Sequence, residues 1–164
     1  MDIDKLNNSL FIWGALEPAH LPRLLKYNGT VIIPEMRPYM IGLKHNLPLL
    51  KKQKISAVYC TDNMLGILLF KRKISEVVIL YHQKREDGIS AASGALYTAQ
   101  LASLHGVKIT LQPAGRLDYN TIFKDHSAAV FCGKPIGEVS AKETVTVSED
   151  FLRWEDLPGY EKDK

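Results

Sequence analysis

From about residue 9 to residue 112, short apolar runs alternate with longer helix-patterned segments, and that alternation constrains the fold more than any other feature. The spacing predicts strands at Leu10–Trp13, Thr30–Ile33, Ser56–Cys60, Glu76–Tyr81 and Val107–Leu111, with a sixth at Ala128–Phe131. Between them it predicts helices at Leu21–Tyr27, Met40–Lys52, Asn63–Lys71 and Ser90–His105. Strand, helix, strand, repeated without a break, requires crossover connections and implies an α/β fold with a mainly parallel sheet covered on both faces.

Local signals refine this pattern. Met40, Leu43, Leu47 and Leu50 recur at steps of three and four and form a stripe for the sheet, while Lys44, Lys51 and Lys52 stay in water. Pro48 removes a helix hydrogen bond and predicts a kink or early break in that segment. Gly106 follows Leu104-His105 where a left-handed C-terminal residue is wanted. Past Gly133 the pattern changes. Thr144-Val145-Thr146-Val147 alternates like an edge strand, and Phe151, Leu152, Trp154, Leu157 and Tyr160 sit among acids, so this tail is expected to dock on the domain or on a partner subunit. With 164 residues and no linker, the expectation is one α/β domain over 1–164, its core about 9–133 and 134–164 a docking segment.

Hydrophobic residues make up 46% and charged residues 24%, which excludes a disordered chain. The formal charge is +3, yet Lys44, Lys51, Lys52, Lys54, Lys71, Arg72 and Lys73 crowd the first half and residues 149–164 are acidic. That polarity suits a phosphorylated ligand, and it also suits plain solvated helix faces. No arginine-rich or aromatic-interleaved run supports nucleic-acid binding. The N-terminal Met1-Asp2-Ile3-Asp4-Lys5 is acidic where a secretory signal is basic, and no apolar stretch approaches the roughly 20 residues of a membrane span, so a cytoplasmic protein is expected. Cys60 and Cys132 lack metal-ligand spacing and read as buried thiols.

Three predicted strand ends carry polar groups: Glu35-Met36-Arg37, Cys60-Thr61-Asp62-Asn63, and Tyr81-His82 through Ser93-Gly94. In a parallel sheet such ends lie where ligands bind. Gly88, Ser90, Ser93 and Gly94 are small enough to let backbone amides reach an anion at a helix N-terminus, with His82 and Arg85 as side-chain donors. The same run also reads as a helix capped by Asp87 or Ser90 and packed closely through Ala91, Ala92 and Ala95. Thr61-Asp62-Asn63 reads as an N-cap or as a ligand contact, and Glu35 with Arg37 as an ion pair or a phosphate grip. Cys60 sits where a helix N-terminus would lower a thiol pKa, against burial as a core thiol. The glycines fit neither the P-loop nor the dinucleotide pattern, and His20, His45, His82, His105 and His126 show no metal spacing. Neither cofactor nor metal is expected.

The order Glu35-Met36-Arg37-Pro38, Gly42, Tyr59-Cys60-Thr61-Asp62-Asn63-Met64-Leu65-Gly66, Asp87-Gly88 and Gln100–Val107 resembles the C-terminal domain of one family. That family unites methylthioribose-1-phosphate isomerase, ribose-1,5-bisphosphate isomerase and the regulatory subunits of translation initiation factor 2B. The resemblance implies a Rossmann-like three-layer α/β/α domain, of the type shared with ribose-5-phosphate isomerase and coenzyme A transferases. It also implies pairing as homodimers and, in the relatives, an N-terminal helical domain that this sequence lacks. The isomerases' catalytic cysteine corresponds to Ile12-Trp13-Gly14-Ala15, their aspartate to Ile79-Leu80-Tyr81-His82, their Asn-Lys pair to Ala91-Ala92 or its neighbours, and a glutamine before Gly42 to Ile41.

Without an acid and a base in reach of the substrate, aldose–ketose isomerisation is not expected. The leading expectation is a divergent, non-isomerase homodimer that binds a phosphorylated sugar or nucleotide through Glu35, Arg37, Asp62, Asn63, His82, Arg85, Ser90 and Ser93. The alternatives are an isomerase or lyase with relocated catalytic groups, Tyr81 or His82 with Asp62, and a translation-factor-like subunit that docks on a protein partner through the Trp154 tail.

Overall fold

The computed structural model describes residues 3–37, 39–115, 130–131, 134–135 and 149–157. In chain order the elements are β1 (Ser9–Trp13), α1 (Leu21–Leu25), β2 (Thr30–Pro34), a π-helical turn (Gly42–Asn46) leading into α2 (Leu47–Lys52), β3 (Ala57–Cys60), α3 (Met64–Phe70), β4 (Ile74–Lys84), β5 (Gly88–Ala92), α4 (Ala95–Leu104) and β6 (Lys108–Pro113). Two short strands, β7 (Val130–Phe131) and β8 (Lys134–Pro135), pair with each other, and β9 (Glu149–Arg153) follows.

The main sheet has seven strands in the order β3-β2-β1-β4-β5-β9, with β6 also on β4. β1 pairs parallel with β2 and β4, β2 with β3, and β4 with β6. β5 is antiparallel to both β4 and β9, so within this sheet it alone is reversed. The expected α/β architecture is therefore present, with a mixed, mostly parallel sheet.

Because β1 is central and covered twice, all five of its residues are buried and its sequence is continuously apolar. Alternate side chains feed two cores. Phe11, Ile32, Val77 and Ile79 pack with Leu65, Leu68 and Leu69 of α3 and with Ala95, Ala99 and Ala102 of α4. Leu10, Ile12, Val31, Ile33 and Val78 pack with Leu21 and Leu24 of α1 and Leu50 of α2 on the other face. Helices on both faces make the three layers.

Several sequence expectations need correction. The segment Ser90–His105 is not one helix: Gly88–Ala92 is a fully buried strand, and α4 starts only after Gly94, whose φ of 91° turns the chain. Small residues stand here because β9 lies close; a Cβ on Gly88 would come within 2.1 Å of the Leu152 carbonyl oxygen. Neither Asp87 nor Ser90 caps α4. The break expected at Pro48 does not occur: the backbone stays helical from Ile41 through Lys52, with π hydrogen bonding over Gly42–Asn46 just ahead of the proline. The π turn also shifts the helical phase, so Met40 and Leu50 are buried while Leu43 is left 42% exposed.

β4 runs longer than expected, α1 ends at Leu25, and Val130–Phe131 pairs with β8 instead of joining the main sheet. The tail docks on the domain itself as far as residue 157, with Leu152 and Leu157 buried. Thr144–Val147, Tyr160, Cys132 and His126 lie outside the described residues. Among the described residues no helix is long and apolar enough to cross a membrane.

Candidate functional site

Parallel pairing puts the ends of β1, β2, β3 and β6, and the Tyr81-His82 part of β4, on one rim of the sheet. Neighbouring strands lie about 4.8 Å apart, so His82 is offset sideways by roughly 10 Å from β2 and roughly 14 Å from β3, and it stands further along its strand as well. The predicted site residues consequently fall into two groups.

The first group gathers where β2 and β3 end. The Asp62 carboxylate accepts the backbone N–H of Met36 at 2.7 Å and that of Arg37 at 2.8 Å, tying the two loops together. Burial pushes the Asp62 carboxyl above the ordinary carboxylate range, against these two donors, and Glu35 adds to the rise. Asp62 therefore caps the β2 loop and not α3: Asn63 stands at the α3 N-cap without a side-chain cap, its amide oxygen taken by the Thr61 hydroxyl. Glu35 is buried and pairs with the Arg37 guanidinium at 3.2 Å, whose side chain remains 55% exposed. The half-buried Cys60 thiol is pushed up to about 12 by burial, with the charges of Asp62 and Glu35 adding, which favours the neutral thiol.

The second group is held by β9. His82 Nε2 meets a Glu149 carboxylate oxygen at 3.2 Å, and the Arg85 guanidinium lies over the Phe151 ring at 5.5 Å. Ser90 is buried inside β5, and the Ser93 carbonyl accepts the Trp13 indole N–H at 3.1 Å. At the N-terminus of α4, where an anionic ligand was expected, one Asp150 carboxylate oxygen accepts the N–H of Gly94 at 2.8 Å and of Leu96 at 3.1 Å. The chain's own carboxylate thus takes the place that the helix dipole and free amides favour for an anion.

Between the two groups the rim is filled by residues that sequence reasoning missed. Asn46 is fully buried; its side-chain oxygen accepts the Leu16 N–H and its amide donates to the Gly14 carbonyl, each at 2.9 Å. Met36 adopts a φ of 54°, unusual for a residue other than glycine, and its sulfur accepts the Gly14 N–H at 3.1 Å. His20 accepts the Glu17 N–H through Nδ1 and donates through Nε2 to the Pro113 carbonyl, each at 2.9 Å, joining the loop after β1 to the end of β6. The one available signal was Asn46 itself, a polar residue within a helix-patterned apolar stretch.

Tyr81 and His82 adjoin each other on β4, but Asp62 is three strands away, so an acid/base pair formed from Asp62 and either of them does not meet across one pair of sugar carbons. Among the described residues no three His, Cys, Asp or Glu cluster as a metal requires.

Fold and rim together define a Rossmann-like α/β protein whose strand ends are braced by its own side chains. No family model matches the sequence. A putative methylthioribose-1-phosphate isomerase of Sulfolobus acidocaldarius is 30% identical over 74 residues, 45% of this chain and 20% of that protein. The methylthioribose-1-phosphate isomerase of Leptospira interrogans is 34% identical over 79 residues, 48% of this chain and 22% of that protein. The solved translation initiation factor eIF-2B subunit delta from A. fulgidus superposes with a TM-score of 0.67 at 15% identity, over 94% of this chain and 52% of that one. The 5-methylthioribose 1-phosphate isomerase from Pyrococcus horikoshii gives 0.66 at 14% identity, over 94% and 50%. The solved structures carry the fold, and the partial sequence likeness points the same way: the chain resembles the initiation factor 2B and methylthioribose-1-phosphate isomerase family over about half of the solved chains. It spans about a fifth of the length of the curated relatives and half that of the solved structures.

Proposed function

We propose that this chain is a non-isomerising, cytoplasmic binding subunit that self-associates. The observation carrying this reading is the self-occupied rim: Asp150 takes the α4 amides, Asp62 takes those of Met36 and Arg37, and Glu149 takes His82. Donors already engaged by carboxylates cannot also grip a sugar phosphate, and the family's acid and base are replaced.

Self-association has its own support. Ile67 and Phe70 of α3 and Tyr97 and Leu104 of α4 are 39%, 74%, 50% and 79% exposed on two helices covering the same sheet face. Where such groups gather into one patch they mark an interaction surface. Sedimentation at micromolar concentration is expected to give a dimer for the wild type and a monomer for Phe70→Glu with Leu104→Glu, with no turnover of methylthioribose 1-phosphate by either. A monomeric wild type would remove the self-association, and measurable turnover lost in His82→Ala would replace the reading with the enzyme one.

A second reading, a phosphorylated sugar or nucleotide at the end of β2, is favoured by the Arg37 guanidinium, exposed beyond its contact with Glu35. Under it, ribose 5-phosphate or AMP at about 100 times its dissociation constant would stabilise the wild type by about 2.7 kcal/mol and Arg37→Ala not at all. Equal melting temperatures with and without both compounds would dismiss it.

A further inference from the structure

One edge of the sheet, β3, offers a different surface. Among the described residues β3 pairs with β2 alone. The Cys60 carbonyl accepts the Glu35 N–H at 2.9 Å, so it turns inward to β2. Backbone groups alternate along a strand, so those of Ala57 and Tyr59 turn outward with no strand to meet them.

An apolar hollow lies on each side of this edge. On the α2 side is a shallow groove of about 400 Å³ lined by Leu47, Leu50, Ile55 and Ala57, with Lys51 and Lys54 also in its wall. On the α3 side is one of about 160 Å³ between the N-terminal residues Ile3 and Leu6, Val58 of the strand, and Met64 and Leu68 of α3. An added strand points successive side chains to opposite faces, so one apolar residue would enter one hollow and the next the other.

Charge selects among occupants. Lys51, Lys52 and Lys54 are exposed and form no ion pair among the described residues. The negative end of α2 accounts for Lys51 and Lys52, but Lys54 lies beyond the helix, in a left-handed conformation (φ 56°), on the wall of the groove. A second copy is the weaker candidate, because two β3 strands paired about a two-fold would bring these lysines toward Glu35 and Asp62, which are already engaged.

We infer that β3 is a docking edge for an extended acidic segment of another protein, which adds as a strand, places alternate apolar side chains in the two hollows and sets its acids against Lys51 and Lys54. This holds whether the rim is empty or filled, and whether or not α3 and α4 pair with a second copy.

The probe is an acetylated, amidated octapeptide with two glutamates ahead of an alternating valine and leucine run, compared with a twin carrying lysines for glutamates. Titrated into isotope-labelled full-length protein, the acidic peptide is expected to shift the amide signals of residues 55–60, and the twin to bind about tenfold more weakly. Lys51→Glu with Lys54→Glu should reverse that preference. Tyr59→Pro removes one outward N–H from an edge position, where proline is tolerated, so it should fold with an unchanged spectrum elsewhere and lose the binding. Signals elsewhere shifting while residues 55–60 stay still, or Tyr59→Pro folding and binding like the wild type, would overturn the proposal. So would residues 55–60 shifting with protein concentration alone in Phe70→Glu with Leu104→Glu, since a second copy would then hold the edge.

Discussion

Replacing Asn46 with alanine is expected to lower stability by about 2–6 kcal/mol. The side chain is fully buried, and its two hydrogen bonds are the partners of the buried Leu16 N–H and Gly14 carbonyl. Alanine removes both, leaving a donor and an acceptor without water, at about 1–3 kcal/mol each. Gly14 is required as glycine in this loop: its φ is 112°, and a Cβ there would lie 2.7 Å from that of Leu80. Urea denaturation checks this as a fall in midpoint at constant slope. A loss below about 1 kcal/mol would mean that the loop after β1 is held by other contacts.

The parts of the fold legible in the sequence were those fixed by burial on both faces. β1, β2 and the middle of β4, residues 77–80, are continuous apolar runs because parallel interior strands have no wet side, and their order with the intervening helices implied the crossovers. What escaped was set by contacts distant in sequence. Gly88–Ala92 looks like a helix-leading loop because small residues serve both purposes; it is a strand because it pairs with β4 on one side and with β9, some sixty residues later, on the other. Likewise the Met40–Lys52 stripe is an honest helical pattern that a single π turn rephases, and no local residue announces that turn.

The rim was legible in outline and misread in use. Glu35, Arg37 and Asp62 do follow strand ends, as polar residues after apolar runs suggested, whereas His82 lies within β4, which runs on to Lys84. Their partners come from elsewhere: Asp62 reaches a neighbouring loop, and His82 meets Glu149 of the acidic tail. That tail reads as a docking segment through its apolar groups, but the roles of Glu149 and Asp150 are not legible in it, because a carboxylate accepting backbone N–H groups has the same local sequence as a solvated one. Fold class follows from side-chain periodicity, whereas the role of a charge follows from what faces it.

The same dependence makes Leu152→Ala the other large effect, a loss of about 2–5 kcal/mol. Leu152 is fully buried in the core beside α4, and its strand supplies the neighbour of Gly88–Ala92. Truncating it opens a cavity at the seam between β9 and the helix, so the strand loosens and takes Asp150 from the α4 amides with it. Asp150→Ala alone is expected to cost only about 1 kcal/mol, the usual value of a lost helix cap. Hydrogen exchange separates the two: Leu152→Ala should speed the amides of residues 88–92 together with those of Gly94 and Leu96, and Asp150→Ala only the latter two. If the amides of residues 88–92 kept their protection in Leu152→Ala, the stretch would be standing on β4 alone, and the carboxylates of β9 would no longer explain why the rim is closed.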